Sequence, residues 1–361
     1  MSPARAAGGS GERIPVAVLG ATGAVGQTFL RLLDGHPWFS VAEVAASERS
    51  AGRRYADATR WLEGSLPDGL ADLEVASCDP SAVAARVVFS ALDASVALET
   101  EAAFARAGAV VLSNAKSWRM EPDVPLVIPE VNAAHLALLE TQRARRGWTG
   151  AIVTNANCAA TVAALALAPL HETFGVRKIF ATTLQAVSGA GYPGVASLDI
   201  LGNVIPFIGG GEEEKIQGEL PKLLGTLTGD RIEPAPLMVS AHVNRVPVEH
   251  GHTVAMSVEL ARAAGPDEAA RAIASWVGDP VCRGLPSAPD RPVVLADGED
   301  RPQPRRDVGL GRGMSVSVGR IRPDPILHLR LVAMGHNTIR GAAGGSVLNA
   351  EVMARKGLLL R

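Results

Sequence analysis

A cysteine that opens a helix is the residue in this sequence best placed to do chemistry. Thr154-Asn155-Ala156-Asn157-Cys158 closes an apolar, strand-like run, and 159–172 carries a helical pattern. Asn157 is a good helix N-cap, which puts Cys158 in the first turn. There the helix dipole and the unpaired amides favour thiolate over thiol, so the sulfur is expected to be nucleophilic near neutral pH. Most lone cysteines are inert packing residues, and that reading suits Cys78 and Cys282, which have no such placement. The junction of strand end and helix start sets Cys158 apart.

A thiol nucleophile needs a proton carrier and a grip on its substrate. His242, His250 and His252 cluster in SAHVNRVPVEHGHTV. His252, after a glycine and before a strand pattern, is the expected general acid/base. Arg245, seven residues earlier, carries the planar fork that holds a carboxylate through two hydrogen bonds. Spacing alone leaves a salt-bridged surface arginine equally open. Gln185 precedes the glycine-rich turn Ser188-Gly189-Ala190-Gly191, against which a flat ring could lie; without further information it is only a turn.

A second kind of chemistry is written near the N-terminus. Gly20-Ala21-Thr22-Gly23-Ala24-Val25-Gly26 stands between the first strand pattern and the first helix pattern. Glycines there let the backbone approach a pyrophosphate, and the helix mouth supplies free amide donors. The spacing is G-x-x-G-x-x-G, so position at the first strand-to-helix crossing carries the reading more than the spacing does. A tight turn with no ligand is the plainer alternative. The second strand ends in Ser47-Glu48-Arg49-Ser50. An acid in that place favours NAD, whereas an arginine among hydroxyls suits the 2′-phosphate of NADP; Arg49 between two serines tips the expectation to NADP.

The elements that must position these residues alternate. Strands are expected at 14–20, 41–47, 85–92, 109–114 and 151–156, with helices at 24–33 and 96–107 between them. Such alternation implies a parallel sheet covered on both faces, a Rossmann-like dinucleotide-binding domain over 14–157. After Cys158 the runs FATTLQAVSGAG, LMVSAHVNRVPV, GHTVAMSVEL and MSVSVGRIR alternate polar and apolar residues. They predict a mostly antiparallel sheet with one covered face, making 158–336 an α+β domain. The charged, Pro- and Gly-rich stretch 296–313 reads as a long loop, suited to subunit contact or to a lid. The small-residue helical pattern of 337–361 is expected to pack back on the first domain, and 1–13 reads as a disordered tail.

Composition narrows the functions. The 361 residues are 47% hydrophobic and 20% charged, enough for two cores. A net charge of −2 removes the electrostatic case for nucleic acid. Three widely spaced cysteines build neither a disulfide framework nor a metal site, and point to a reducing, cytoplasmic setting. Neither a signal peptide nor an apolar run of membrane-spanning length is present, so no membrane partner is expected.

Taken together, GATGAVG, SERSAGRRY, FSAL, SNAKSWRM, DVPLVIPEVN, TNANC, TTLQAVSGAGYPGVASLDILGNVIPFIGGGEEEKI, HVNRVPVEHGH, EDRPQPR, GMSVSVGRI and HNTIRGAAGGSVLNAE resemble the aspartate-β-semialdehyde dehydrogenase family, in its archaeal and fungal branch. The resemblance spans almost the whole chain in one order. It implies NADPH-dependent reduction of L-aspartyl-4-phosphate to the semialdehyde, within lysine (diaminopimelate), threonine and methionine biosynthesis, by a homodimer or homotetramer. It also implies roles. Cys158 would accept the acyl group, His252 would act as acid/base and Gln185 would orient the intermediate. Arg245 would grip the α-carboxylate, Glu212 would meet the amino group, and Arg119 with Lys215 would bind the departing phosphate. Gly20, Thr22, Gly23, Ala24 and Val25 would line the pyrophosphate, with Ser47, Arg49 and Ser50 at the 2′-phosphate. Ser90, Ala91, Ser188, Gly189 and Asn337 would complete the cofactor site. The run Glu212-Glu213-Glu214 leaves the register of the acid open.

Two positions depart from the family pattern: Asp93 follows FSAL, and Ala156 precedes Asn157, where prolines are usual. Two rivals remain. An acyl-CoA reductase acting on malonyl-CoA or succinyl-CoA would use the same cysteine and histidine without a phosphate pocket. A non-catalytic NADP-binding paralogue would have no use for Cys158, Gln185, Arg245 and His252 together.

Overall fold

The computed structural model describes residues 13–359, so the expected tail lies, apart from Arg13, outside the described residues. The first half folds as read. Strands β1 (Ile14–Leu19), β2 (Phe39–Ala46), β3 (Val75–Ser77), β4 (Val87–Ser90), β5 (Val110–Ser113), β6 (Leu126–Val127) and β7 (Ala151–Asn155) form one sheet in the order β3-β2-β1-β4-β5-β7-β6. Every neighbouring pair is parallel. The interior strands are apolar on both faces because helices cover both, among them α1 (Ala24–Leu33), α2 (Ala94–Arg106) and α3 (Leu138–Arg146). Neither β3 nor β6 was expected; at three and two residues they are too short to show a period.

The chain leaves this sheet through α4 (Cys158–Phe174), which is apolar all round and almost wholly buried. A helix with no polar face belongs in a core, and α4 lies between the first sheet's edge and the second sheet. The remaining strands are β8 (Val176–Gln185), β9 (Thr226–Thr228), β10 (Arg231–Glu233), β11 (Met238–Arg245), β12 (His252–Leu260), β13 (Val293–Leu295), β14 (Val316–Pro323) and β15 (Leu329–Gly335). Strands β9 and β10 make a small hairpin, and the rest form a six-stranded sheet in the order β11-β8-β12-β15-β14-β13. The three central pairs are antiparallel, but the pairs β8–β11 and β13–β14 at the two edges are parallel. The parallel edge has a cause: α5 (Glu212–Leu223) sits in the β8–β11 connection, and parallel strands require such a crossover.

Three further expectations change. The strand read over FATTLQAVSGAG starts at Val176, ends at Gln185, and gives way to a 3-10 turn at Val187–Ala190, because glycines do not sustain a strand. The segment 296–313 is no free loop. It carries a helical turn, Pro304–Asp307, and Asp307 is buried, accepting from Arg301 Nε at 2.9 Å and from the Gln303 amide at 2.6 Å. Between β12 and β13, α6 (Pro266–Ser275) covers the second core, a helix missed for its polar outer face. The last helix, α7 (Gly344–Arg355), follows a π-helical turn and shares one core with Val16, Phe29 and Leu112 of the first sheet.

Candidate active site

Strand periodicity and register assemble the site. On β8, β11 and β12 alternate residues face α4 and α5, and the last such residues are Gln185, Arg245 and His252. Gln185 stands opposite Arg245, and Leu184 opposite Thr253, so the three side chains meet at one end of the sheet. The same alternation turns His242 outward against Phe180, while His250 stacks on His336 with ring centroids 4.9 Å apart. That separates His252 from its two neighbours in sequence.

A cavity of about 600 Å³ opens here. Cys158, Gln185, Arg245, Glu212, Lys215, Arg119, Ser188, Gly189 and Asn337 line it, with Val25 at the glycine-loop side. At its floor, Asn157 caps α4 as read: Oδ1 accepts from the amides of Ala159 and Ala160 at 3.0 Å each. Glu212 is the hub. Its Oε1 accepts from Asn157 Nδ2 at 2.8 Å and Gln185 Nε2 at 3.3 Å, and its Oε2 from Lys215 Nζ at 2.9 Å. Of the acidic run only Glu212 lines the cavity; Glu213 accepts from the Val243 amide and Glu214 is exposed. Although burial opposes it, Lys215 and the neighbouring donors hold the Glu212 carboxyl below its usual range. Arg119 donates from Nη1 to Glu219 at 2.9 Å and from Nη2 to the Asn114 carbonyl at 2.8 Å. Arg245 donates from Nη1 to the Ala186 carbonyl at 2.7 Å.

The surroundings of Cys158 and His252 bear on their expected roles. Against the pull of the helix mouth, burial, and then the Glu212 carboxylate, push the Cys158 thiol up to about 12, outweighing Arg119, the Ala159 amide and Arg245. His252 does not line the open cavity. It is fully buried just behind Gly189, where an added Cβ would lie 3.1 Å from Nε2. Burial, then Arg245, bring its pKa down to about 3, so the ring is neutral.

The glycine loop fits a dinucleotide. Gly20 has φ +70°, and a Cβ there would sit 2.6 Å from the Ala91 carbonyl oxygen; one on Gly26 would meet the Gly20 oxygen at 2.2 Å. Bare backbone is therefore obligatory at the crossing. The mouth of α1 is capped by Gly23 with no side-chain hydrogen bond, which leaves its amides for an anion. Thr22, Ala24 and Val25 border that mouth, with Ser90 and Ala91 at the end of β4. Ser47, Arg49 and Ser50 lie in the turn after β2, Ser47 and Arg49 exposed, outside the cavity lining. Asn337 braces the far wall, donating to Ser188 Oγ at 2.8 Å and accepting from the Gly251 amide at 3.0 Å. Among the described residues no cluster of three or more His, Cys, Asp or Glu is set to hold a metal ion.

Sequence reasoning passed over Lys116, which lines the cavity and donates to the Gly210 carbonyl at 3.2 Å, and Glu219, which holds Arg119. A signal existed for both: Lys116 is three residues before Arg119, and Glu219 is a helical step from Glu212 and Lys215.

Comparison with known proteins decides the family. The semialdehyde dehydrogenase NAD binding domain matches residues 15–139, and the semialdehyde dehydrogenase dimerisation domain matches 167–340. The aspartate-semialdehyde dehydrogenase of Archaeoglobus fulgidus is 49% identical over 348 residues, covering 96% of this chain and 100% of its own. This chain belongs to the aspartate-semialdehyde dehydrogenase family. The Schizosaccharomyces pombe family member is 45% identical over 353 residues, covering 95% of this chain and 99% of its own. The crystal structure of the Candida albicans aspartate-semialdehyde dehydrogenase with NADP aligns with TM-score 0.87 and 39% identity, covering 96% of this chain and 100% of that one. The family's fold is thus the fold described above, and the archaeal and fungal resemblance is confirmed.

Proposed function

We propose that this aspartate-semialdehyde dehydrogenase uses NADP(H) to convert L-aspartyl-4-phosphate reversibly to L-aspartate 4-semialdehyde through a thioester on Cys158. One observation carries the reading: a cysteine, a free arginine fork and a carboxylate–lysine pair converge in one cavity beside a glycine loop built for a dinucleotide. Among the described residues no carboxylate pairs with Arg245, so the N–H groups left beside its Ala186 contact are available to the substrate α-carboxylate. Glu212 would take the substrate ammonium, and in doing so stop raising the Cys158 thiol. Arg119 and Lys215, with Lys116 beside them, would face the phosphate, whose charge they stabilise as it departs.

The sulfur attacks the acyl carbon, the new S–C bond replaces the C–O bond to phosphate, and the thiol proton departs with the phosphate; the resulting thioester is a far better hydride acceptor than a carboxylate. NADPH, when bound, supplies the hydride. Gln185 Nε2 would orient the acyl group, and the Nε2–H of the neutral His252 ring would donate a hydrogen bond to the acyl oxygen as negative charge develops on it. Gly20, Thr22, Gly23, Ala24 and Val25 would hold the pyrophosphate. Ser47, Arg49 and Ser50 would take the 2′-phosphate, and Ser90, Ala91, Ser188, Gly189 and Asn337 would complete the cofactor site. The domains would divide as 14–157, with 337–361 returning to it, and 158–336. The outer face of the second sheet, with Phe180, Leu184 and Met238 exposed, supports self-association as a homodimer or a homotetramer. No described helix is long and apolar enough to cross a membrane, in keeping with a cytoplasmic enzyme.

The test is an assay of two reactions with the purified chain. Phosphate-dependent NADP reduction with aspartate semialdehyde is expected, and malonyl-CoA-dependent NADPH oxidation is not. Activity with the thioester alone would move the assignment to an acyl-CoA reductase.

A further inference from the structure

On α5 the residues Glu212, Lys215, Glu219 and Lys222 follow at steps of three, four and three, so they lie along one stripe. The first two face the cavity. The second two face the loop after β5 that carries Arg119. Lys222 Nζ donates to the carbonyls of Arg119, Glu121 and Val124 at 2.7, 2.8 and 2.9 Å. Glu219 is 1% exposed and lies outside the cavity lining. Its Oε1 accepts from Arg119 Nη1 at 2.9 Å, and its Oε2 accepts from the Asn157 backbone amide at 2.6 Å. One carboxylate therefore joins the arginine assigned to the leaving phosphate and the residue that caps the nucleophile's helix.

We propose that Glu219 is a positioning residue which fixes the separation between the leaving-group site at Arg119 and the attacking sulfur of Cys158. The inference rests on the reading of Arg119 as a phosphate ligand. Both partners of Glu219 are donors, so only a group that accepts at both ends satisfies them. An amide accepts at one end and presents N–H to a donor at the other. Attack and departure occur on one acyl carbon, so an error in this separation is felt by phosphate and by the sulfur together, and by little else. The Arg119 guanidinium keeps a buried Nε with no partner and is held on two sides, so it is aimed before any anion arrives.

The experiment compares Glu219→Gln and Glu219→Asp with the wild type, with rates scaled to the Cys158 titre by thiol alkylation. Wild-type turnover that ignores phosphate would sink the underlying assignment and this inference with it. Given phosphate dependence, Glu219→Gln is expected to raise the phosphate KM by about tenfold or more and to lower kcat, as loss of a charged hydrogen bond does. The NADP KM should stay within about twofold, because the glycine loop is untouched. Phosphate should also protect Cys158 of the Gln variant less well against iodoacetamide. Glu219→Asp, which keeps two accepting oxygens, should fall between the two; it also serves as the test if the Gln variant does not fold. A variant whose loss disappears on scaling to titre, with the phosphate KM unchanged, shows that Glu219 only supports the fold and overturns the proposal.

Discussion

The backbone amide of Ala186 donates to Nδ1 of His252 at 3.1 Å. An acceptor at Nδ1 forces the neutral ring to carry its proton on Nε2, which is buried with no hydrogen-bond partner in the free enzyme. The ring therefore begins as a hydrogen-bond donor through Nε2–H. His252→Asn keeps an acceptor near the Ala186 amide but removes the Nε2 donor. Its kcat should fall by about 10²–10³ with KM values nearly unchanged. Steady-state rates in the semialdehyde-oxidising direction test this, and an unaltered kcat removes His252 from the chemistry.

The Cys158 thiol, pushed up to about 12, makes a prediction opposite to that of an ionised cysteine. Iodoacetamide inactivation of the free enzyme should accelerate steadily between about pH 7 and 9.5 and show no plateau. A plateau near neutrality would restore the thiolate. Cys158→Ser should abolish turnover while NADP affinity measured by calorimetry is retained.

Arg245→Lys replaces a planar fork with a point charge and also loses the Ala186 carbonyl contact. The KM for the semialdehyde should rise about tenfold or more, with a smaller effect on kcat. Equal kcat/KM in variant and wild type would disprove the carboxylate role.

Gly189→Ala places a methyl 2.9 Å from Arg245 Nη1 and 3.0 Å from the His252 ring, with no left-handed backbone to strain. Those side chains must yield, and displacement of about 1 Å at reacting groups can cost on the order of 10² in rate. The expected result is a folded protein by circular dichroism with badly impaired kcat/KM.

Acid should unfold this protein through its buried imidazoles. Burial lowers His252 to about 3 and His336 to about 4, against an ordinary value of 6.5. A base with a depressed folded pKa stabilises fully above its unfolded value, and the contribution is lost as pH falls below it. Each ring should remove about 2 kcal/mol of stability between pH 7.5 and about pH 5. Tm measured across that range should drop, and His336→Phe should blunt the slope.

How far the sequence foretells this molecule depends on length and on distance. Strand β1 and helix α1 were legible because an apolar run, a glycine crossing and an amphipathic helix follow one another without interruption. Cys158, Gln185, Arg245 and His252 were legible as types, and a period of two, once the strands were placed, brought the last three to one sheet end. The missed strands β3 and β6 owe their pairing to neighbours distant in sequence. The upward push on the thiol was not legible for a different reason. A helix mouth is visible in sequence, but the arrival of Glu212, 54 positions later, is not. Glu219 escaped likewise, since its partners Arg119 and Asn157 come from two separate loops.

Helix α7 inserts Val347, Leu348, Val352 and Met353 among the side chains of β1, α1 and β5, and Arg340 clasps Glu130 through two hydrogen bonds of 2.6 Å. During synthesis on the ribosome, the N-terminal half therefore emerges with a gap in its interior. The usual order, in which the earliest module finishes first, is reversed. Until the final turns of the chain are released, the nucleotide-binding half presents apolar surface to its surroundings and has every reason to be held by a chaperone.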